Sequence, residues 1–264
     1  MIRELRKMEK VNVIKVGGAV VEDAQALQAF LKLFSAVEGY KILVHGGGRS
    51  ATAMAARLGI ETKMLDGRRI TDEAMLEVVT MVYGGLVNKN IVARMQAEGL
   101  NAVGLTGADM DSIRSDKRPS TPIDYGFAGD VRKVNGKALH TLLTAGFVPV
   151  MAPLTHDGNG QLLNTNADTI AAEVAKGLVP FYDVTLTFCF EKKGVLANPA
   201  DEESVIPRID RARYEALVAD GTLSGGMLPK FHNAFAALDA GVSRVVITSA
   251  TNLHAGTLIM KNEQ

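Results

Sequence analysis

Short apolar runs alternate with stretches of helical periodicity along the whole chain, and this alternation is the strongest constraint on its fold. Apolar runs at 11–16, 40–44, 102–105, 147–151, 184–190 and 245–248 have the length of strands. Between them apolar residues recur at helical spacing, as Leu27, Phe30, Leu31 and Phe34 do within 24–36. A strand–helix–strand rhythm needs parallel crossovers, so the pattern predicts an α/β fold with a largely parallel sheet. Helices are also expected at 50–58, capped by Ser50, and at 71–95, capped by Thr71 with Asp72 and Glu73 at its positive end. Others are expected at 136–145, 167–177, 211–219 and 227–241. Gly84-Gly85 marks a kink or a close helix crossing, and the sequence leaves both open.

Residues 111–135 differ. Polar and apolar residues alternate, and Pro119, Pro122, Gly126 and Gly129 punctuate them, which predicts hairpins in an exposed insertion. A last short strand at 257–260 is expected at a sheet edge. No Pro-, Gly- or Ser-rich linker and no repeat interrupts the 264 residues, so one compact unit with two lobes, 1–180 and 181–264, is expected.

Charge and cysteine content exclude several classes. Lys plus Arg and Asp plus Glu are 29 each, which argues against a dedicated nucleic-acid binder. The single cysteine, Cys189, excludes an intrachain disulfide and reads as a small buried apolar residue. No run approaches the roughly 20 apolar residues of a membrane span. The segment 1–10 is too charged for a signal peptide, so no membrane association and a cytoplasmic location are expected.

Two lysines stand beside paired-glycine turns at opposite ends of the chain. Lys15 ends the first apolar run and precedes Val16-Gly17-Gly18; Lys230 follows Gly225-Gly226-Met227-Leu228-Pro229. Glycine turns let backbone N–H groups approach phosphate oxygens, and lysines neutralise phosphate charge, so phosphoryl transfer is suggested. The bland readings are a tight βα connection and a lysine whose head reaches solvent from a strand end. Neither Gly-x-x-x-x-Gly-Lys-Ser/Thr nor Gly-x-Gly-x-x-Gly occurs, which counts against P-loop and dinucleotide-binding enzymes.

His45-Gly46-Gly47-Gly48 fits a phosphate-binding turn, an esterase oxyanion hole or a purely structural turn. The esterase reading needs a Gly-x-Ser-x-Gly elbow, and Ser224 and Ser243 are not flanked in that way. His45 itself reads as a hydrogen-bonded strand-end histidine, and His140, His156, His232 and His254 lack metal-ligand spacing. In Asn164-Thr165-Asn166-Ala167-Asp168, Asn166 reads as an N-cap and Asp168 as a first-turn acid. Asn164 is spare for a polar substrate, and Asp168 is also available to pair with the lysines. Arg69 reads as a bidentate grip for a carboxylate or as an ordinary surface arginine.

These motifs, in this order, resemble the amino acid kinase family, and within it the members that phosphorylate acylated glutamate. Val87-Asn88-Lys89-Asn90, Val103-Gly104-Leu105-Thr106-Gly107 and Gly126-Phe127-Ala128-Gly129-Asp130-Val131 carry the likeness further, so that it spans about 11–260. The resemblance implies a three-layer αβα sandwich with an open, mostly parallel sheet. Its 1–180 lobe would bind the acyl-amino acid and form the dimer, and its 181–264 lobe would bind ATP. The implied reaction moves the γ-phosphoryl of ATP to the side-chain carboxylate of N-acetyl-L-glutamate, a step of arginine biosynthesis.

By the same resemblance Lys15 and Lys230 flank the transferred group and Asp168 orients both. Gly47, Gly48, Arg69 and Asn164 bind the acyl-amino acid. Lys15, Gly17, Gly18, Glu191, Gly194, Gly226 and Lys230 contact the nucleotide, and Mg²⁺ is held mainly by ATP, with no protein ligand. Glu191 stands where relatives carry Asp, and the segment 249–255 is shorter than theirs. With ten residues before the first run, neither arginine inhibition nor a hexamer is expected; a homodimer is. Alternatives are the same reaction on N-succinyl-L-glutamate, a carbamate or uridylate kinase, and a non-catalytic ligand sensor. The sensor reading predicts damaged lysines, and both are present.

Overall fold

The computed structural model describes residues 8–65, 67–253 and 255–261; the charged segment 1–7, Asp66, His254 and 262–264 lie outside the described residues. In chain order the elements are β1 (Lys10–Val16), α1 (Gly18–Glu22), α2 (Ala24–Ser35), β2 (Tyr40–His45), α3 (Gly48–Arg57), β3 (Met64–Leu65), β4 (Arg68–Arg69) and α4 (Glu73–Val79). A π-helical segment, Thr80–Val87, leads into α5 (Asn88–Ala97), β5 (Ala102–Leu105), β6 (Ile113–Lys117), β7 (Gly129–Val134), α6 (Gly136–Thr144) and β8 (Val148–Met151). The chain continues with β9 (Leu154–His156), β10 (Leu162–Asn164), α7 (Ala167–Leu178), β11 (Asp183–Phe190), β12 (Arg208–Ile209), α8 (Arg211–Ala219), α9 (Met227–Asp239), β13 (Arg244–Ser249) and β14 (Thr257–Ile259).

Eight strands form the central sheet in the order β12-β14-β13-β11-β1-β2-β8-β5. All pairs are parallel except β13–β14. The sheet is continuous across residue 180, because β11 pairs directly with β1 along its full length. Alternation along β1 assigns its two faces. Val11 and Val13 join a core with α6, α7, α8 and α9, whereas Ile14 and Val16 join a second core with α2 to α5. This gives the three layers, helix on sheet on helix. Four apolar side chains of α2 (Leu27, Phe30, Leu31 and Phe34) are buried, each stabilising by roughly 1.5–3 kcal/mol. Cys189 is buried in the second core, and burial pushes its thiol up to about 12, so it is inert.

Several local expectations are corrected. Ser50 does not cap α3, which begins two residues earlier after Gly47; the Ser50 N–H donates instead to the Glu22 carboxylate, 2.7 Å away. Thr71 is not the cap of α4. Asp72 is, accepting from the Met75 N–H, while Thr71 bridges to Gly126. The helix does run past Gly84-Gly85, but as a π segment rather than a kink, with Gly84 facing Leu154 and Thr106. The 111–135 segment gives the predicted β6–β7 hairpin. It is not a free insertion, because β9 and β10 extend it to a four-stranded sheet and Ile113, Ser115 and Gly129 are buried. Asn166 caps α7 as expected, accepting from the N–H groups of Asp168 and Thr169.

Candidate active site

Ligand sites of open α/β sheets lie beyond the carboxyl ends of the strands, where neighbouring connections diverge. Here β1 is flanked by β2 on one side and β11 on the other. The turns leaving β1 and β2 carry the two glycine motifs and press together backbone to backbone. A Cβ at Gly46 would lie 3.1 Å from the Gly18 nitrogen, and one at Gly47 would lie 3.1 Å from the Tyr83 ring. Any larger residue at either position would push its neighbour aside, and glycine keeps the close approach that gathers the N–H-bearing turns at one mouth of the sheet.

Lys15 shares its strand face with Val11 and Val13 and so points towards α7. The Asn166 cap starts α7 there and puts Asp168 in the first turn. Lys230 stands in the first turn of α9, which packs along α7. Proline at 229 is tolerated because early helical N–H groups have no partner within the helix. The result is one carboxylate between two ammonium groups. Lys15 Nζ lies 2.6 Å from Asp168 Oδ1, and Lys230 Nζ donates to Oδ2. The three side chains, Lys15, Asp168 and Lys230, are only 11 %, 10 % and 16 % exposed. Burial opposes ionisation of Asp168, but the two ammonium charges outweigh it and hold the carboxyl at about 2. Burial lowers the Lys230 pKa, and the charge on Lys15 adds to that, while Asp168 works against both. Two cations on one anion leave a surplus positive charge, and the site favours an anionic ligand.

A family model of the amino acid kinase family matches residues 10–249. The chain belongs to the amino acid kinase family. It is 63 % identical over 255 residues to the acetylglutamate kinase of Phocaeicola vulgatus, covering 96 % of this chain and 99 % of that one. A crystal structure from Streptococcus mutans UA159 superposes with TM-score 0.81 at 26 % identity, covering 95 % and 98 % of the two chains. The N-acetylglutamate synthase of Neisseria gonorrhoeae, complexed with coenzyme A and N-acetyl-glutamate, shares the fold: TM-score 0.80, 22 % identity, 98 % of this chain and 61 % of that one.

Beside the three charges lies an open cavity of about 440 Å³. Gly46, Gly47, Gly48, Arg69 and Asn164 line it, and Ala167 and Thr169 bring its wall to either side of Asp168. Arg69 is buried, and its fork is engaged within the protein. Nη2 donates to the Gly48 carbonyl at 2.8 Å and to Thr52 Oγ1 at 2.9 Å, and Nη1 donates to Thr62 Oγ1 at 3.3 Å. Asn164 Nδ2 donates to Thr71 Oγ1 at 2.9 Å. These residues therefore meet in one wall, with Arg69 fixing the carbonyl side of the Gly48 turn.

The remaining named positions lie apart from this cavity. Glu191 is exposed and faces Arg49 at 3.4 Å. Gly194 packs against Thr257, and Gly226 is the N-cap of α9. Sequence reading missed Tyr83 and Val87, which cover Gly47, and Arg118, which lines the cavity while paired to Asp130. The π segment sets the first two. Bonding from i to i+5 keeps Tyr83, Val87 and Asn88 near one face, and a sequence of apolar residues around two glycines does not advertise that register.

Asn88 completes a buried network under the glycine turn. Its Nδ2 donates to Val150 O at 2.9 Å and lies 3.1 Å from His45 Nε2, while His45 Nδ1 lies 2.7 Å from Gly46 O. These partners assign the proton to Nδ1, leaving Nε2 as acceptor. Burial pulls the His45 pKa down to about 4. The unfolded chain therefore takes up a proton first as pH falls below about 6.5, and stability present above that value is lost towards pH 4. Urea unfolding at pH 5 should give a stability lower by ~2 kcal/mol than at pH 7.5 from this group, a difference that His45→Gln removes.

Among the described residues no helix is long and apolar enough to cross a membrane.

Proposed function

We propose that this chain phosphorylates the side-chain carboxylate of N-acetyl-L-glutamate with ATP, a step of arginine biosynthesis. The carrying observation is the convergence of Lys15 and Lys230, from opposite ends of the chain, on one ionised Asp168 at the mouth of the parallel sheet. The 63 % identity to an acetylglutamate kinase supports the choice of acceptor.

A carboxylate oxygen of the acceptor attacks the γ-phosphorus. The bond from that phosphorus to the β,γ-bridging oxygen breaks, and ADP leaves with the electron pair. Two anions must be brought together, so the main tasks are alignment and charge neutralisation. Lys15 and Lys230 flank the migrating group, and Asp168 holds both ammonium heads in place. N–H groups around Gly17, Gly18, Gly47 and Gly48 face the phosphoryl oxygens. Asn164 holds the acyl-amino acid, Arg69 braces the Gly48 turn that walls its cavity, and Glu191, Gly194 and Gly226 lie on the nucleotide side. The acceptor is already ionised at neutral pH and needs no general base.

ATP enters with Mg²⁺. Among the described residues no group of three His, Cys, Asp or Glu side chains gathers to hold an ion, and both Asp168 oxygens face lysines. Held mainly by ATP, the ion would neutralise triphosphate charge. The 1–180 part carries the acceptor and the 181–264 part the nucleotide. A cytoplasmic homodimer is the expected form, and Met81 and Leu86, exposed five residues apart on the π segment, offer an apolar patch for it.

Hydroxylamine converts the acyl phosphate to a hydroxamate, so ATP-dependent hydroxamate from N-acetyl-L-glutamate tests the reading. No hydroxamate from any N-acylglutamate, with ATP turnover on carbamate instead, would refute it. A second reading lengthens the acyl group to N-succinyl: Arg68 lines the same cavity and suits a further carboxylate, whereas Arg118 beside it is already paired with Asp130. Steady-state rates on the two acceptors, compared side by side, choose between them.

A further inference from the structure

We infer that Glu22 is a positioning residue that clamps the two glycine turns together, and this rests on the kinase reading above. α3 starts at the glycine turn, and its N-cap, Gly47, has no side chain with which to satisfy the first helical N–H groups. The missing acceptor comes from the other turn. α1 starts at Gly18, with Gly17 as its N-cap, and ends at Glu22, whose Oε1 accepts from the Ser50 N–H at 2.7 Å and from Ser50 Oγ at 3.0 Å. A Cβ at Gly18 would lie 3.8 Å from that same Oε1, and 3.6 Å and 3.8 Å from the nitrogens of Gly47 and Gly48. One carboxylate thus stands at the seam between both turns. The other backbone link near this seam is Gly46 N–H to Val16 O, 3.1 Å, on the strand side of the turns.

The clamp fixes the spacing between the N–H groups of the β1 turn and those of the β2 turn. Phosphoryl transfer is sensitive to that spacing, because donors misplaced by an ångström cease to match the transition state. The negative charge of Glu22 is unfavourable near a triphosphate and an acceptor carboxylate. Its acceptor oxygen is what the turns use, and glutamine supplies the same oxygen without the charge.

Glu22→Ala is expected to lower kcat about tenfold per ADP-binding site, counted by calorimetric ADP titration, with KM for N-acetyl-L-glutamate within twofold of the wild type. Glu22→Gln should restore at least half of the wild-type kcat, and Ser50→Ala, which keeps the backbone bond, should lose about twofold. Glu22 is exposed, so these variants are expected to fold. Wild-type turnover in Glu22→Ala, or equal loss in the alanine and glutamine variants, would overturn the clamp. An inactive wild type would instead count against the kinase reading, so the two failures are distinguishable.

Discussion

Replacing Asp168 with alanine is expected to lower kcat by ~10³ or more and to cost ~3–5 kcal/mol of folding stability. Both effects have one origin. Asp168 is the carboxylate that Lys15 and Lys230 share, and all three side chains are largely removed from water. Without it two ammonium groups face each other in a poorly hydrated site. They separate, lose charge or admit water, and in each case they leave the positions that the migrating phosphoryl requires.

Asp168→Asn keeps the volume and the helical first turn but removes the charge. It should lose nearly as much activity as alanine and part of the stability. The ion pair also sets an acid limit: with its carboxyl held at about 2, Asp168 contributes stability above the ordinary carboxylate value, and that contribution disappears as pH falls through 2. Urea unfolding and hydroxamate formation on the same preparations would check both effects. Turnover within tenfold of the wild type in Asp168→Ala would remove Asp168 from the proposed mechanism.

Residues whose environment is fixed by period were legible in the sequence. β1, α2 and β11 are long enough for period 2 or 3.6 to stand out, and most of their large apolar side chains are buried. The Asn166 cap was legible because a helix pattern follows it at once. Ser50 and Thr71 were misread for one reason: each lies within two residues of the true helix start. The acceptor at α3 is Glu22, 28 residues away, and at α4 it is the adjacent Asp72. Short-range preference cannot rank a local cap against a tertiary one.

The pair β9–β10 was invisible because each strand has only three residues. For the site, the ordered motifs named the participants, but not their bonds. Nothing around Arg69 in the sequence indicates that its fork is spent on Gly48 and Thr52, partners brought in by the chain reversal between α3 and β4.

Lys230→Met is expected to lower kcat by ~10²–10³ with little change in KM for the acceptor, and to leave the fold largely intact. The contrast with Asp168 follows from charge counting. Removing Lys230 leaves Asp168 still paired with Lys15 at 2.6 Å, so no buried charge is stranded. Methionine also replaces most of the aliphatic stem that packs at the start of α9. What is lost is one of two cations beside the transferred group, where negative charge spreads over the equatorial oxygens only as the bond to ADP breaks. That interaction strengthens on the way to the transition state, so the loss appears in kcat rather than in acceptor binding.

Lys230→Arg should not rescue. The planar guanidinium is larger than an ammonium group and would have to meet Asp168 in a space already shared with Lys15. Single-turnover hydroxamate formation at saturating ATP separates the chemical step from product release. Unchanged turnover in Lys230→Met would leave Lys15 as sole cation on the migrating group, and the paired arrangement would then serve only to hold α9 against α7.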